Sequence, residues 1–322
     1  MGRFKFQNCG PVTDHALDAL RPDDEAARRA EFVAAVALGL TPGVGAKTIV
    51  RLLETFGTLD AILHADSKAL RTVNGIGAKI AAAIRQNDTE YLQRLDTELK
   101  DWAAPKGINR IKAATWDSVG YPPPLADLSD GPLVTFYRGA WLESDWQAVA
   151  IVGTREASTR ALRRASDMAA AFATEAWTVV SGLARGIDTA ALSGAVEAGG
   201  RALAVLGGGI RPEVIYPPEN RTLADRIAAK GALLCEGHPM AQPSAQGLTI
   251  RNRLISGLSR AVIVVEGGAT SGAMHVARFA LNQGRLLFTF PDGGSGCALL
   301  LDNGAQPFES IEQVIAAITS RP

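Results

Sequence analysis

The sequence predicts an α/β protein with a doubly wound, mostly parallel sheet that follows an all-α domain. Two observations predict this fold. A Gly-apolar-Gly-Ala-Lys phrase occurs twice in the first third of the chain, at Gly43–Lys47 and at Gly75–Lys79. In the second half, six short apolar runs alternate with helical segments, and this order is typical of a parallel sheet with right-handed crossovers.

Composition excludes several classes of protein. The 322 residues carry 33 basic and 33 acidic side chains, which excludes a globally basic DNA-binding protein and leaves only a local nucleic-acid site. No apolar run approaches the roughly 20 residues of a membrane helix, so we expect a cytoplasmic protein with no membrane contact. The cysteines Cys9, Cys235 and Cys297 are far apart and form no CxxC pair, so we expect neither a disulfide nor a metal, and no cofactor.

Residues 1–30 have weak periodicity and are predicted to be a tail or a poorly specified helix. Residues 31–104 are predicted to form a helix-hairpin-helix (SAM-like) domain, because the glycines of the two phrases are 32 residues apart (75 − 43) and each phrase precedes an apolar helical run. A polar helix over residues 86–104 would end this domain. The stretch Tyr121–Pro124 is predicted to break regular structure.

Each Gly-x-Gly hairpin exposes backbone N–H groups at the start of a helix, where they can hold a DNA phosphate without reading sequence. The alternative is that the hairpins merely turn the chain. The auxiliary phosphate-binding residues are predicted to be Gly43, Gly45, Lys47, Gly75, Gly77 and Lys79.

Residues 105–322 are predicted to form a Rossmann-like domain. Most of its apolar runs are uninterrupted, as expected for strands that are buried on both faces. Helical segments such as Thr159–Glu175 and Ser271–Gln283 separate them. The candidate strands are Ala148–Val152, Thr178–Val180, Ala202–Leu206, Ala232–Cys235, Ala261–Val265 and Leu286–Phe290.

Four glycine-rich turns follow these strands, and ligands of doubly wound sheets bind beyond the carboxyl ends of the strands. We therefore expect all four turns to face one crevice that binds phosphate. The chain has neither GxGxxG nor a P-loop phrase, which argues against a dehydrogenase or a P-loop ATPase. The alternative is that the glycines only permit tight turns. The predicted site residues in these turns are Gly153, Thr154, Arg155, Ser181, Gly182, Arg185, Gly186, Asp188, Gly207, Gly208, Glu266, Ser271 and Gly272.

A basic segment precedes the fifth strand and adds Arg251, Asn252 and Arg253 to the predicted site. Residues 251–285 contain five arginines and one acid, a local excess that suits a phosphate backbone, although a solvated helix face is the alternative. Asp188 could contact a sugar hydroxyl, or it could cap a helix or pair with an arginine. Glu266 could bind a ribose or orient an arginine.

At these residues the chain resembles the DprA/Smf family of DNA-processing proteins. The resemblance implies binding of single-stranded DNA in natural transformation, protection of incoming strands, loading of the RecA recombinase, and homodimerisation. By position it places Arg155, Arg185 and Arg251–Arg253 in or beside the DNA pocket. It also includes Asn220, but no C-terminal winged-helix domain is apparent. The matching phrases are Tyr121-Pro122 with Leu125, Tyr137–Gly139, Val152–Arg155, Ser181–Thr189, Ala204–Gly207 with Tyr216-Pro217 and Asn220, Arg251–Ser259, and Ser271-Gly272.

A nucleotide-binding sensor, or an enzyme similar to the phosphoribohydrolases that activate cytokinins, is the alternative function. Glu266–His275 resembles the glycine-rich turn of those enzymes, which ends in a catalytic glutamate. Here no acid follows Thr270 until well past the start of the helix, and cleavage of a glycosidic bond needs a positioned carboxylate. We therefore expect binding rather than catalysis, and we predict no catalytic residue.

Overall fold

The computed structural model describes residues 22–118 and 120–320, so most of the tail predicted over 1–30, with Cys9, lies outside the described residues. The chain divides into two compact units. The first comprises the described residues up to Leu99 with Thr115–Asp117 and Ser129–Val134. The second comprises Lys100–Ala114, Ser118–Leu128 and the described residues from Thr135 onward.

The first unit is helical. Its first helix begins inside the predicted tail, at Pro22, and proline is favoured at the first position of a helix. Leu38, Leu52, Ile62, Leu70 and Ile84 are fully buried in one core. The helices are α1 (Pro22–Leu40), α2 (Ala46–Phe56), α3 (Leu59–His64), α4 (Ser67–Leu70), α5 (Ala78–Arg85) and α6 (Thr89–Ala103), whose last residues belong to the second unit.

The repeated phrases form two equivalent turns, as predicted. Gly43 and Gly75 have φ of +85° and +88°, a conformation that glycine adopts without strain. The helices α2 and α5 then begin 32 residues apart (78 − 46), each directly after the second glycine of its phrase. The prediction of a helix-hairpin-helix domain is therefore confirmed.

The described residues contain a nine-stranded sheet in the order β1-β2-β6-β5-β4-β3-β7-β8-β9. From β6 to β9 each described pairing is parallel, whereas β2 is antiparallel to β6. The six predicted strands all form, within one residue at their ends. The strands are β1 (Ile111–Thr115), β2 (Val134–Gly139), β3 (Ala148–Val152), β4 (Thr178–Ser181), β5 (Ala202–Val205), β6 (Ala232–Cys235), β7 (Ala261–Val264), β8 (Leu286–Thr289) and β9 (Gln306–Pro307).

Helices connect the parallel strands. Every residue of the six strands β3, β4, β5, β6, β7 and β8 is buried, because helices cover the faces of this part of the sheet. Since β3 lies between β4 and β7, the chain reverses its direction of winding at β3. The helices are α7 (Pro123–Ala126), α8 (Thr159–Thr174), α9 (Ile187–Glu197), α10 (Arg221–Lys230), α11 (Ala245–Gly257), α12 (Gly272–Asn282), α13 (Ser295–Asp302) and α14 (Ile311–Thr319).

The sequence did not predict β1 or β2. Strand β2 contains Arg138, which is completely buried and would argue against a strand interior. Its guanidinium donates to the backbone oxygens of Ile108 and Ile210, each at 2.9 Å, and to Asp225 at 2.6 Å. These three partners come from distant parts of the chain, so no local pattern announces them.

Within the described part of the chain, no helix is both long and apolar enough to span a bilayer.

Candidate functional site

A pocket of about 500 Å³ opens at the carboxyl ends of β3, β4 and β7. We call it the strand-end pocket. Its position agrees with the rule that ligands of doubly wound sheets bind where the winding reverses. Its walls are Val152–Glu156 after β3, Ala184 and Asp188 after β4, Ser271–Ala273 with His275 and Val276 after β7, and Ala245, Leu248, Thr249, Arg251, Asn252 and Ile255 of α11.

The turn after β3 is fixed by backbone contacts. The N–H of Thr154 donates to the oxygen of Glu266 at 2.8 Å, and the oxygen of Thr154 accepts from Ile187 at 3.2 Å. A Cβ at Gly153 would lie 2.5 Å from Cγ1 of Ile187, so only glycine fits there. This turn holds the exposed Arg155 at the mouth of the strand-end pocket.

Arg155 and Arg251 bring two positive charges to this pocket. Among the described residues, the Arg155 guanidinium has neither a hydrogen bond nor an ion pair. The pKa of Arg251 is lowered mainly by burial. The charge of Asp188 opposes this shift, and the charge of Arg155 adds to it. Because the two guanidinium groups repel each other, an anion bound between them would be stabilised.

The amino terminus of α12 forms the facing wall. Ser271 precedes the helix but makes no side-chain cap. Its Oγ is buried and has no hydrogen-bond partner in the part of the chain that the structure describes. A Cβ at Gly272 would have no atom within 4 Å, so the pocket is open there. Free N–H groups at a helix start and an unsatisfied hydroxyl are suited to phosphate oxygens.

Asp188 accepts hydrogen bonds from backbone N–H groups. Its Oδ2 accepts from the N–H groups of Gly182 at 3.1 Å and Ala184 at 3.4 Å. Burial raises the pKa of this carboxyl, and the charge of Arg251 opposes that shift. Arg251 in turn donates to the oxygens of Gly182, at 2.8 Å, and Val205. Both side chains therefore stiffen the wall of the pocket, and the roles expected for Asp188 toward a sugar, a helix or an arginine stay predictions.

Several predicted site residues lie outside this pocket. Arg253 donates to both oxygens of Glu236, at 2.7 and 2.8 Å, and its side chain is only 9% exposed. Arg185 pairs with Glu219 at 2.5 Å and thereby holds the pKa of that carboxyl below its usual value. Arg185 and Arg253 therefore do not line the strand-end pocket with Arg155, and each is paired with an acid from another segment. Their contact with DNA stays a prediction.

Three further polar side chains of the predicted site have structural partners. Asn220 donates to the oxygen of Leu183 at 2.9 Å and to Thr189 at 2.7 Å. The hydroxyl of Ser181 donates to the oxygen of Ile151 at 2.7 Å. Glu266 accepts from the N–H of Ser158, just before α8, at 2.7 Å. A contact of Glu266 with a ribose stays a prediction.

The glycine turn after β5 does not face the strand-end pocket. Strand β5 is two strands from β3, which separates the two turns by about 10 Å. Gly207 and Gly208 instead line a small neighbouring cavity, together with Gly182 and Tyr216. Gly186, with φ of +77°, packs against Thr154 and lines neither cavity. Three turns therefore meet at the strand-end pocket rather than four.

The basic excess over residues 251–285 is also divided. Arg260 comes directly before β7 and Arg285 directly before β8, at the amino ends of the strands and opposite the pocket. Conversely, Glu156, Thr249 and His275 line the pocket although the sequence did not select them. Only the packing of α11 over the strand ends identifies Thr249, because an isolated threonine in a helix carries no signal.

The auxiliary hairpins present their polar groups to solvent. Gly45 and Gly77 precede α2 and α5 without a side-chain cap, and Lys47 and Lys79 are exposed. Gly75 lies against Arg51, whose guanidinium donates to the oxygen of Asn74 at 3.2 Å. The geometry is compatible with either a phosphate contact or a simple turn.

Comparison with known proteins gives a consistent result. The family described as DNA recombination-mediator protein A matches residues 112–319, and a SAM-like helix-hairpin-helix tandem matches residues 38–86. Protein Smf of Synechocystis sp. is 34% identical over 291 residues, which cover 87% of this chain and 71% of that protein.

Two solved structures are also similar. DNA processing protein A of Streptococcus pneumoniae has a TM-score of 0.71 at 29% identity, covering 89% of this chain and 97% of that one. DNA processing protein A of Helicobacter pylori, described with a single-stranded DNA binding mode, has a TM-score of 0.57 at 27% identity, covering 64% of this chain and 95% of that one.

Proposed function

The chain belongs to the DNA recombination-mediator protein A family, and from that premise we propose that it is a DNA-processing protein that binds single-stranded DNA in the strand-end pocket. One observation supports this assignment above all. The unpaired guanidinium of Arg155, the buried charge of Arg251 and the unsatisfied hydroxyl of Ser271 line the same pocket. Together they provide what a phosphodiester needs, namely positive charge and hydrogen-bond donors.

A single strand fits this arrangement better than a duplex. The site is concave, and a flexible strand can bend so that one phosphate enters it. Duplex DNA is a stiff cylinder that binds mainly to broad basic surfaces, and this chain has no net charge. The preference therefore follows from the shape of the site as well as from its charge.

The wider role is proposed from the family resemblance. We propose that the protein acts in the cytoplasm by binding rather than by catalysis, protects strands that enter during natural transformation, loads RecA onto them, and forms a homodimer. Sedimentation velocity over a range of concentrations tests the dimer. Assembly of RecA on a strand coated with single-strand-binding protein, with and without this chain, tests loading.

The decisive experiment titrates labelled single-stranded and duplex DNA of equal length at two salt concentrations. We expect tighter binding to the single strand, with an affinity that falls as salt rises because counterions are released. Equal or tighter binding to the duplex would contradict the proposal.

A Gly272→Ala variant locates the site within the same titration. The added methyl group meets no protein atom but projects into the open start of α12, so affinity should fall while the melting temperature is kept. Gly268→Ala is the matched control, because a Cβ at Gly268 also meets no atom within 4 Å and Gly268 does not line the pocket. Equal binding by both variants would move the site elsewhere.

A further inference from the structure

Tyr216 is a large aromatic side chain that remains 42% exposed. It lies beyond β5, in the neighbouring cavity lined by Gly182, Gly207 and Gly208. A Cβ at Gly207 would lie 2.6 Å from Cα of Leu248, so this glycine is required for packing against α11. Packing thus explains the glycine but leaves the exposed ring of Tyr216 without an explanation.

The guanidinium of Arg185 lies near the ring of Tyr216. The Cζ atom of Arg185 lies 5.9 Å from the ring centroid of Tyr216, within the range of a cation–π contact. Arg185 is itself anchored, because its Nε donates to Glu219 at 2.5 Å. The carboxylate thus orients the guanidinium, which lies beside the aromatic ring.

The ring stands next to the strand-end pocket. Leu248 lines both cavities, so a single residue forms part of the wall between them. Gly182 lines the neighbouring cavity with Tyr216. Its backbone oxygen also accepts a hydrogen bond from Arg251, which lines the strand-end pocket. A chain that leaves the strand-end pocket past Leu248 therefore meets the ring of Tyr216.

We propose that Tyr216, supported by Arg185, is a stacking platform for a nucleobase of the strand whose phosphate occupies the strand-end pocket. This inference rests on the proposed binding of single-stranded DNA. Stacking suits a protein that does not read sequence, because every base has a π face. It also assigns Arg185 a role at the interface, as the residue that positions the platform rather than as a phosphate ligand.

The test is a double-mutant cycle between protein and DNA. The full chain and its Tyr216→Leu and Tyr216→Phe variants are titrated with oligodeoxythymidine and with copies that carry one abasic position, moved stepwise along the strand. We expect Tyr216→Leu to weaken binding about tenfold, the effect of losing one stacked base, and Tyr216→Phe to bind nearly normally. At one position the abasic substitution should weaken binding by the parent but not by Tyr216→Leu.

Trp146→Leu is the matched control. Trp146 is also exposed, at 47%, but it lies just before β3, at the amino ends of the strands and therefore on the side opposite the strand-end pocket. Its truncation should leave the affinity for DNA unchanged. A second measurement needs no variant. The base analogue 2-aminopurine, placed at the sensitive position, should lose fluorescence when the parent binds, because stacking quenches it.

The outcomes separate this inference from the proposed function. If the parent binds single strands, but Tyr216→Leu binds equally well and 2-aminopurine is not quenched at any position, stacking is wrong and the proposed function stands. If the abasic penalty is the same in parent and variant, the ring contacts another partner. If the parent does not bind single strands, both proposals fail.

Discussion

Arg155 is the residue on which the proposed phosphate contact depends most directly. It is exposed at the mouth of the strand-end pocket, and in the described part of the chain nothing neutralises it. Arg253 carries the same charge, yet it is buried in a bidentate pair with Glu236. The two arginines should therefore respond differently to truncation.

We predict that Arg155→Ala weakens single-strand binding by about 1–3 kcal/mol, the range for hydrogen bonds to charged groups, and makes the salt dependence shallower by about one ion. Its melting temperature should be unchanged. Arg253→Ala should instead lower the free energy of unfolding by about 2–3 kcal/mol, because it leaves Glu236 partly buried without its cation. Fluorescence titrations and denaturant unfolding of both variants measure the two effects.

The opposite pattern would reverse the assignment. If Arg253→Ala keeps its stability and loses DNA affinity, the ion pair opens in solution and Arg253 is a ligand. If Arg155→Ala binds DNA as well as the parent does, the phosphate site is elsewhere.

At the scale of elements, the connection between β3 and α8 determines where Arg155 lies. Glu266, which follows β7, accepts a hydrogen bond from the N–H of Ser158, while Ser158 caps α8 through the N–H of Ala161 at 3.2 Å. The negative charge of Glu266 also lies near the amino terminus of α8, which is the positive end of the helix dipole. Glu266 thus joins the turn after β7 to the start of α8.

We predict that Glu266→Ala lowers the free energy of unfolding by about 1–2 kcal/mol, as expected when a helix loses a cap, whereas Glu266→Gln costs less because its amide oxygen still accepts. Glu156→Ala is the control, since Glu156 is exposed in the same connection and its side chain makes no hydrogen bond in the described chain. Urea denaturation measures all three variants. A destabilised Glu156→Ala would mean that the whole connection tolerates no change.

The same variants test the alternative function. The parent, incubated with nucleoside monophosphates, should release no base above a buffer control, because the carboxylate of Glu266 is engaged at α8. Turnover by the parent that disappears in Glu266→Gln would establish a phosphoribohydrolase-like activity.

At the scale of the whole molecule, the two units have different shares of the proposed binding. The strand-end pocket and Tyr216 belong entirely to the second unit. The first unit offers two exposed helix starts with one lysine each, Lys47 and Lys79. Each lysine is a single solvated charge, so its contribution should be small.

We predict that the double variant Lys47→Ala/Lys79→Ala, in the full chain, weakens single-strand binding by less than about threefold, which is less than Arg155→Ala does. Lys68→Ala, an exposed lysine of the same unit outside the hairpins, is the control. Equilibrium titration at low salt measures the three variants. A greater loss in the double lysine variant than in Arg155→Ala would make the hairpins the principal site.

Much of this protein follows from its sequence alone. The bounds of β3 and β6 match the predicted apolar runs, and α2 and α5 begin directly after the second glycine of each repeated phrase. These features depend on neighbouring residues, because a buried parallel strand needs an unbroken apolar run and a left-handed turn needs glycine. The placement of Gly153, Thr154 and Arg155 at the strand-end pocket follows from the same local logic.

Tertiary structure decided which of the remaining candidates meet. Strand order places Gly207 two strands from β3 and therefore beside Tyr216 instead of Arg155. Glu236 and Glu219 neutralise Arg253 and Arg185 from distant segments. Charge pairing and shared cavities depend on distances in space, and separation along the chain does not encode them. A local pattern can therefore predict that an arginine follows a strand, but only the assembled sheet decides whether that arginine has a free charge.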